Sequence, residues 1–270
     1  MTCENCFKGF VLPGEPSGSM IDGAYFHPAS SPTSEGPKRA IVLLSDIFGH
    51  TLVNSKIQAD TLSARLDMDV WVPDLFDGKP PLKAEELEPL LPERAGQSIG
   101  FLNTLRVVFM VLLPHAWAMY KARATVGEQR AREFIAKLRQ ERGYDKIGAV
   151  GYCYGGGVGA LIGSSPEVVD SIVLAHPSGV TAEAVKGIKV PSSWVCAEED
   201  LAFSASARAE AEAVLKAREG REGSVPYEFR DWKGCAHGFA VRPNQSIPEV
   251  KAGYEGAIEQ TVDWFRKTLA

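Results

Sequence analysis

The sequence predicts an α/β fold, a mostly parallel central sheet with helices on both faces, in a single domain spanning residues 1–270. Two observations carry this. Short apolar runs alternate with amphipathic stretches along the whole chain, the rhythm of βα units. Several of those runs end in loops rich in glycine, acid or histidine, as strands do when they deliver residues to a crevice. Composition agrees: 45% hydrophobic and 23% charged residues are ordinary for a globular chain of 270 residues. Acids outnumber bases 34 to 29, giving a formal net charge of −5. A chain of that sign has no general attraction for nucleic acid, so a small molecule is the expected partner class.

The elements follow in order. Residues 1–39 are expected to form an N-terminal hairpin and a connection. In it, residues 9–12 pair with 19–27 across Pro13-Gly14-Glu15-Pro16, and the Ser/Pro/Gly-rich stretch 30–38 follows. Residues 40–44 are a compact apolar strand leading into Ser45-Asp46-Ile47-Phe48-Gly49. Residues 69–73, 146–151, 171–174 and 190–196 repeat the pattern, and 225–232 alternates in the manner of a sheet edge. Helices are expected at 53–66, 127–142, 204–218 and 248–269. In the last, Val250, Tyr254, Ile258, Val262 and Phe265 recur at helical spacing.

Residues 78–121 break the rhythm and are far longer than an ordinary connection. They open with Pro80-Pro81, carry Glu85, Glu86 and Glu88, and turn apolar from Phe101 to Trp117. The expectation is either a lid or apolar wall over a pocket, or an extra helix packed on the core or on a neighbouring subunit. The longest uninterrupted apolar run there, residues 107–113, is seven residues where a span needs about 20. No membrane contact is therefore expected. With no secretory signal at the N-terminus and no lipidation or peroxisomal address at the C-terminus, the expected setting is the cytoplasm, as monomer or homodimer. Five widely spaced cysteines argue against a disulfide framework. Cys3 and Cys6 form one C-x-x-C without the second pair that a structural zinc site requires.

The strongest chemical signal is Gly151-Tyr152-Cys153-Tyr154-Gly155, directly after a strand and before a small-residue helix. It fits the nucleophile elbow, a strained strand-to-helix turn whose flanking glycines leave room for the reactive side chain. A thiolate there is favoured by the helix dipole and by unpaired N–H groups. The same glycines match a relaxed dinucleotide pattern, Gly155-Gly156-Gly157-Val158-Gly159-Ala160, but the next strand ends Leu174-Ala175-His176-Pro177 without the acid that a ribose needs. A nucleophilic cysteine requires a base and a group that orients the base. Residues 190–196 run into Glu198-Glu199-Asp200, and 225–232 into Cys235-Ala236-His237-Gly238-Phe239. Asp200, at the start of the helix-bound segment, is the expected acid, with Glu198 and Glu199 as its neighbours. His50 and His176 follow strands and are expected at most to line a pocket. Cys196 reads as core, and Cys235 as structural or flanking the site. Cys153, Asp200 and His237 thus stand in the chain order of an α/β-hydrolase triad.

Gly-Tyr-Cys-Tyr-Gly-Gly-Gly, Glu-Glu-Asp and Ala-His-Gly-Phe in this order, with Leu44-Ser45-Asp46-Ile47-Phe48-Gly49 and Val72-Pro73-Asp74-Leu75-Phe76, resemble the dienelactone hydrolase family. The resemblance runs from about residue 41 to 265. It implies an α/β-hydrolase fold, a Cys153–His237–Asp200 triad, and an oxyanion hole from the N–H groups of Tyr154 and Ile47. It also implies an acid at Asp46 that contacts the thiol and controls its ionisation. Family members hold a substrate carboxylate with arginines; Arg242, five residues after His237, and Lys79 are the corresponding cations. The long apolar insert points toward a more hydrophobic ester, lactone or thioester. The expected activity is ester or lactone hydrolysis through an acyl-cysteine without a metal or organic cofactor. The alternatives are a thioesterase or acyltransferase on the same triad, and a non-catalytic ligand-binding or redox-sensing protein using Cys153.

Overall fold

The computed structural model describes residues 10–31 and 36–270. Cys3, Cys6 and the start of the expected first strand at Gly9 lie outside them.

Strands β3 (Arg39–Leu44), β4 (Asp69–Val72), β5 (Lys146–Tyr152), β6 (Ser171–Ala175), β7 (Ser192–Glu199) and β8 (Tyr227–Ala236) run parallel, and β1 (Ser19–Ile21) and β2 (Ala24–His27) extend one edge antiparallel. Together they make one eight-stranded sheet in the order β1-β2-β4-β3-β5-β6-β7-β8. The helices are α1 (Asn54–Leu66), α2 (Ala84–Leu87), α3 (Phe101–Arg106), α4 (Leu113–Lys121), α5 (Ala124–Arg142), α6 (Tyr154–Ile162), α7 (Ala182–Gly187), α8 (Ala205–Lys216) and α9 (Pro248–Thr268).

Alternation along β3 builds a core on each face. Ala40, Val42 and Leu44 pack with Ile135 of α5, Val158 of α6 and Leu215 of α8. Ile41 and Leu43 point the other way, into Leu62 of α1 and Val262 and Phe265 of α9. This period of two, with both sets buried, is what an interior parallel strand requires. Local signals close the helices. Asp67 and Gly143 take left-handed conformations after α1 and α5, the Ser204 hydroxyl accepts the Ala207 N–H at the start of α8, and Pro248 opens α9.

The N-terminal hairpin differs from the sequence expectation. Its strands are both within residues 19–27 and turn at Asp22-Gly23, where both residues have positive φ (49° and 81°). An Asp-Gly pair in that conformation makes the two-residue turn whose twist matches its strands. The prolines at 13 and 16 left the stretch before it as turn and bend.

The insert also differs. Phe101–Lys121 forms one continuous helical run of 21 residues, with a π-helical middle at Val107–Leu112, and it is apolar and long enough to cross a membrane by length and composition. Counting uninterrupted apolar runs missed this, because Arg106 and His115 interrupt the sequence without interrupting the helix. Leu91, Ile99 and Thr104 of the insert line a cavity of about 830 Å³.

Replacing Leu43 (0% exposed) by alanine is expected to cost about 2–5 kcal/mol of unfolding free energy in urea titrations. The same change at Met20 (53% exposed) should stay within about 0.5 kcal/mol.

Candidate active site

The six parallel strands carry their carboxyl ends on one side of the sheet, and the predicted triad follows three of them. Cys153 follows β5 with φ 51° and ψ −111°, a conformation that few non-glycine residues adopt. It is fixed by its neighbours. Its N–H bonds the Ala175 carbonyl of β6 (3.1 Å), and its carbonyl accepts the N–H groups of Gly156 (3.0 Å) and Ser178 (2.9 Å). The strained backbone points Sγ out of the strand toward His237, whose Nε2 lies 3.1 Å away.

His237 reaches this point because β8 carries extra chain. Between two cross-strand pairs β7 advances from Ala197 to Glu199 while β8 advances from Trp232 to Ala236. This bulge, with Gly234 at φ 76°, turns the following residue into the crevice. His237 Nδ1 donates to the Asp200 carboxylate, at 2.9 Å from Oδ1 and 3.0 Å from Oδ2. Asp200 is itself held by the N–H groups of Ala202 (2.7 Å) and Phe203 (3.0 Å). Its two neighbours face elsewhere: Glu198 accepts the Gly234 N–H (2.7 Å) and Glu199 the Gly96 N–H (2.8 Å).

The electrostatics of the three groups are mutually consistent. Burial pushes the Cys153 thiol up, but the charge and hydrogen bond of His237, helped by Arg242, outweigh it and bring the thiol below its ordinary value. Burial pushes His237 down, yet Cys153 and Asp200 raise it well above the usual imidazole range. Asp200 stays below the ordinary carboxylate range; burial acts against this, and the His237 hydrogen bond prevails. Opposite shifts on a thiol and an imidazole in contact are those of a coupled acid–base pair. The other two described cysteines behave differently. Cys196 and Cys235 are both pushed up to about 12, chiefly by burial, and have no histidine beside them.

Tyr154 is the first residue of α6, so its N–H has no helical carbonyl to bond. Ile47 sits in the loop after β3 with its side chain packed against the core. Asp46 is fully buried but does not meet the thiol as the family resemblance implied. Its carboxylate is taken by the Arg242 guanidinium (2.6 Å) and the Phe48 N–H (3.1 Å), and burial raises it despite that pairing. Asp46 acts on Cys153 only through its charge, which raises the thiol.

The two cations expected to hold a substrate carboxylate are not placed to do so. Arg242 is enclosed, its side chain 2% exposed, between Asp46 and Glu88 (2.5 Å) and over the Phe48 ring. Lys79 is exposed and does not line the cavity beside His237.

Sequence reasoning missed Glu88 and Ser178 and expected His176 at most to line a pocket. Glu88, from the insert, completes the buried ion triad with Arg242 from 154 positions away, a distance no local pattern spans. Ser178 Oγ lies 3.8 Å from the Cys153 sulfur; its place just past β6 was its only signal. His176 is fully buried with both ring nitrogens unpartnered, and its ring stands edge-on against His237 at 5.0 Å. Burial holds it well below the usual imidazole range, so it presents a neutral ring. His50 is occupied with the Val72 carbonyl (3.1 Å).

Comparison with known proteins bears on the family and the fold. Among curated proteins, the chain is similar to hydrolase tropI of Talaromyces stipitatus, 31% identical over 98% of this chain and 95% of that one. It is also similar to hydrolase pyvD of Aspergillus violaceofuscus, 29% identical over 98% and 96%. Among solved structures, a Klebsiella pneumoniae protein assigned as a dienelactone hydrolase superposes with a TM-score of 0.65 over 90% of this chain and 92% of that one. At 14% identity this supports the α/β-hydrolase fold alone. The model of the dienelactone hydrolase family matches residues 22–269, and the chain, a hydrolase, belongs to that family.

Proposed function

We propose that the protein hydrolyses a carboxylic ester or lactone through an acyl-cysteine intermediate, with Cys153 as nucleophile, His237 as acid and base, and Asp200 orienting the imidazole. The observation that carries the proposal is the 3.1 Å contact between His237 Nε2 and Cys153 Sγ, backed by Asp200 on Nδ1 at 2.9 Å.

The Cys153 thiolate attacks the substrate carbonyl carbon, and the oxyanion that forms faces the N–H groups of Tyr154 and Ile47. The imidazolium of His237 gives its Nε2 proton to the departing alkoxide as the C–O bond breaks, leaving an acyl-cysteine and a neutral imidazole. That imidazole then takes a proton from water as the hydroxide adds to the thioester. The thiolate leaves, the acid product departs, and the pair is restored. No step calls for a metal or an organic cofactor. The cavity beside His237 offers Leu91, Pro92, Ile99 and Leu201 to the substrate, with Arg94 also in its wall, and the buried cation Arg242 is paired with Asp46 and Glu88. The apolar side chains favour an apolar acyl or lactone group. In this reading Arg242 acts on the thiol by charge, and Asp46 opposes it.

Steady-state hydrolysis of p-nitrophenyl acetate tests the triad. Cys153→Ala and His237→Ala are each expected to lose about 10³-fold or more in kcat, and the double variant little beyond that, since the residues act as a unit. Variant rates equal to that of the wild-type chain would contradict the proposal. Added alcohol or amine acceptors, scored by product, separate hydrolysis from acyl transfer.

Alkylation by iodoacetamide tests the ion pair. The reactive thiolate exists above its folded pKa, which lies below the ordinary 9.0, so Cys153 should label rapidly well under that pH. In His237→Ala both influences of the imidazole are gone and Arg242 is left to act against burial, so the profile should move to higher pH. An unchanged profile would contradict the pairing.

A further inference from the structure

The helical run Phe101–Lys121 is apolar yet mostly exposed. Among its residues only Val111 is buried, against Leu52 and Leu82. Phe101 is 75% exposed, Phe109 61%, Met110 69% and Trp117 65%. Phe101, Leu105, Phe109, Leu113 and Trp117 recur every four residues, and all five are exposed. The wide π-helical turns at Val107–Leu112 help to keep that spacing on one face. Such a continuous exposed apolar face marks an interaction surface.

Charge identifies what covers it. Between Glu93 and Glu128 the chain has no acidic residue, while Arg94, Arg106, Lys121 and Arg123 are basic, in a protein whose net charge is −5. At the far end Trp117 and Tyr120 stack at 5.5 Å, with Lys121 over Trp117 (5.3 Å) and Arg123 over Tyr120 (5.0 Å). Aromatic rings with an apolar body and polar edge, topped by long cationic side chains, suit the boundary between lipid tails and headgroups. A second copy meeting this face through a two-fold axis would bring the same cations against each other.

Topology sets the orientation. Leu91–Ile99, before the run, contribute to the cavity wall beside His237, and α5, after it, packs on the sheet. Both ends return to one side, so the helix lies along a bilayer rather than through it. Its root at Thr104 lines the cavity that also contains His237 and Asp200.

We propose that the outer face of Phe101–Lys121 seats this enzyme on an anionic lipid bilayer, and that the cavity at the root of the helix takes apolar esters dissolved in that bilayer. The second part rests on the hydrolase proposal above; the first does not.

Flotation with vesicles tests the docking: phosphatidylcholine alone, and phosphatidylcholine mixed equally with phosphatidylglycerol. The full chain should float with the mixed vesicles, bind the neutral ones at least about tenfold more weakly, and be released by high salt. The double variant Phe109→Glu/Met110→Glu should lose binding by about tenfold or more. It should keep hydrolysis of water-soluble p-nitrophenyl acetate while losing hydrolysis of p-nitrophenyl laurate carried in the mixed vesicles. Failure of the wild-type chain to float overturns the docking whatever the esterase result, as does flotation that the double variant retains. Flotation without hydrolysis of either ester leaves the docking standing and overturns the hydrolase proposal. Sedimentation showing a dimer that the double variant dissociates, without flotation, would assign the face to a second copy and overturn the lipid proposal.

Discussion

A Cβ at Gly151 would sit 2.1 Å from the Gly155 carbonyl oxygen, and one at Gly155 would sit 2.1 Å from that of Leu44. This three-way approach of β5, α6 and the end of β3 is the constraint on which the site depends. Backbone this close leaves Cys153 no relaxed conformation, so it takes φ 51° and presents its sulfur above the sheet. The same approach sets the first turn of α6 beside the loop after β3, which is where the proposed mechanism needs the Tyr154 and Ile47 N–H groups. Strain of about 1–3 kcal/mol at one residue is affordable because both cores grip the strands around it. Ile41, Leu43, Val150 and Val173 are entirely buried on one face, and Val42, Leu44, Leu174 and Trp194 almost or entirely so on the other.

Two buried charge systems meet at this point. One runs Asp200–His237–Cys153 and the other Asp46–Arg242–Glu88. They are coupled through Arg242, whose charge favours the thiolate, and Asp46, whose charge opposes it. The second system also ties the insert to the catalytic crevice, since Glu88 belongs to the insert and Arg242 to the loop after His237. Removing one partner of such a buried set leaves an uncompensated charge, at a cost of about 3–5 kcal/mol. The coupling therefore serves the fold and the thiol at once, and Arg242, its side chain 2% exposed, is committed to two carboxylates of the protein.

The parallel sheet was legible because buried strands declare themselves: residues 40–44 and 146–151 are continuous apolar runs, and the observed Arg39–Leu44 and Lys146–Tyr152 differ from them by one residue at an end. The three residues of the proposed triad stood out for a different reason. Each sits at a strand exit in a loop of small or acidic residues, and chain order supplied the rest. What escaped has no local mark. Glu88 is one of several acids in the insert, and only the fold selects it for Arg242. The diversion of Asp46 from the thiol to that guanidinium is equally invisible along the chain. The Asp22-Gly23 turn was present in the sequence, but Pro13-Gly14-Glu15-Pro16 is stronger punctuation and drew the hairpin to itself. The apolar helix was hidden by Arg106 and His115, since isolated polar residues end a run without ending a helix.

The account rests on Cys153 becoming covalently acylated, and intact mass spectrometry under rapid acid quench tests this directly. Mixing the protein with excess p-nitrophenyl acetate should show a single acetyl adduct that peptide mapping assigns to Cys153, decays as substrate is exhausted, and is absent from Cys153→Ala. Turnover by the wild-type chain with no adduct on Cys153, or with the adduct on another residue, would contradict the cysteine mechanism.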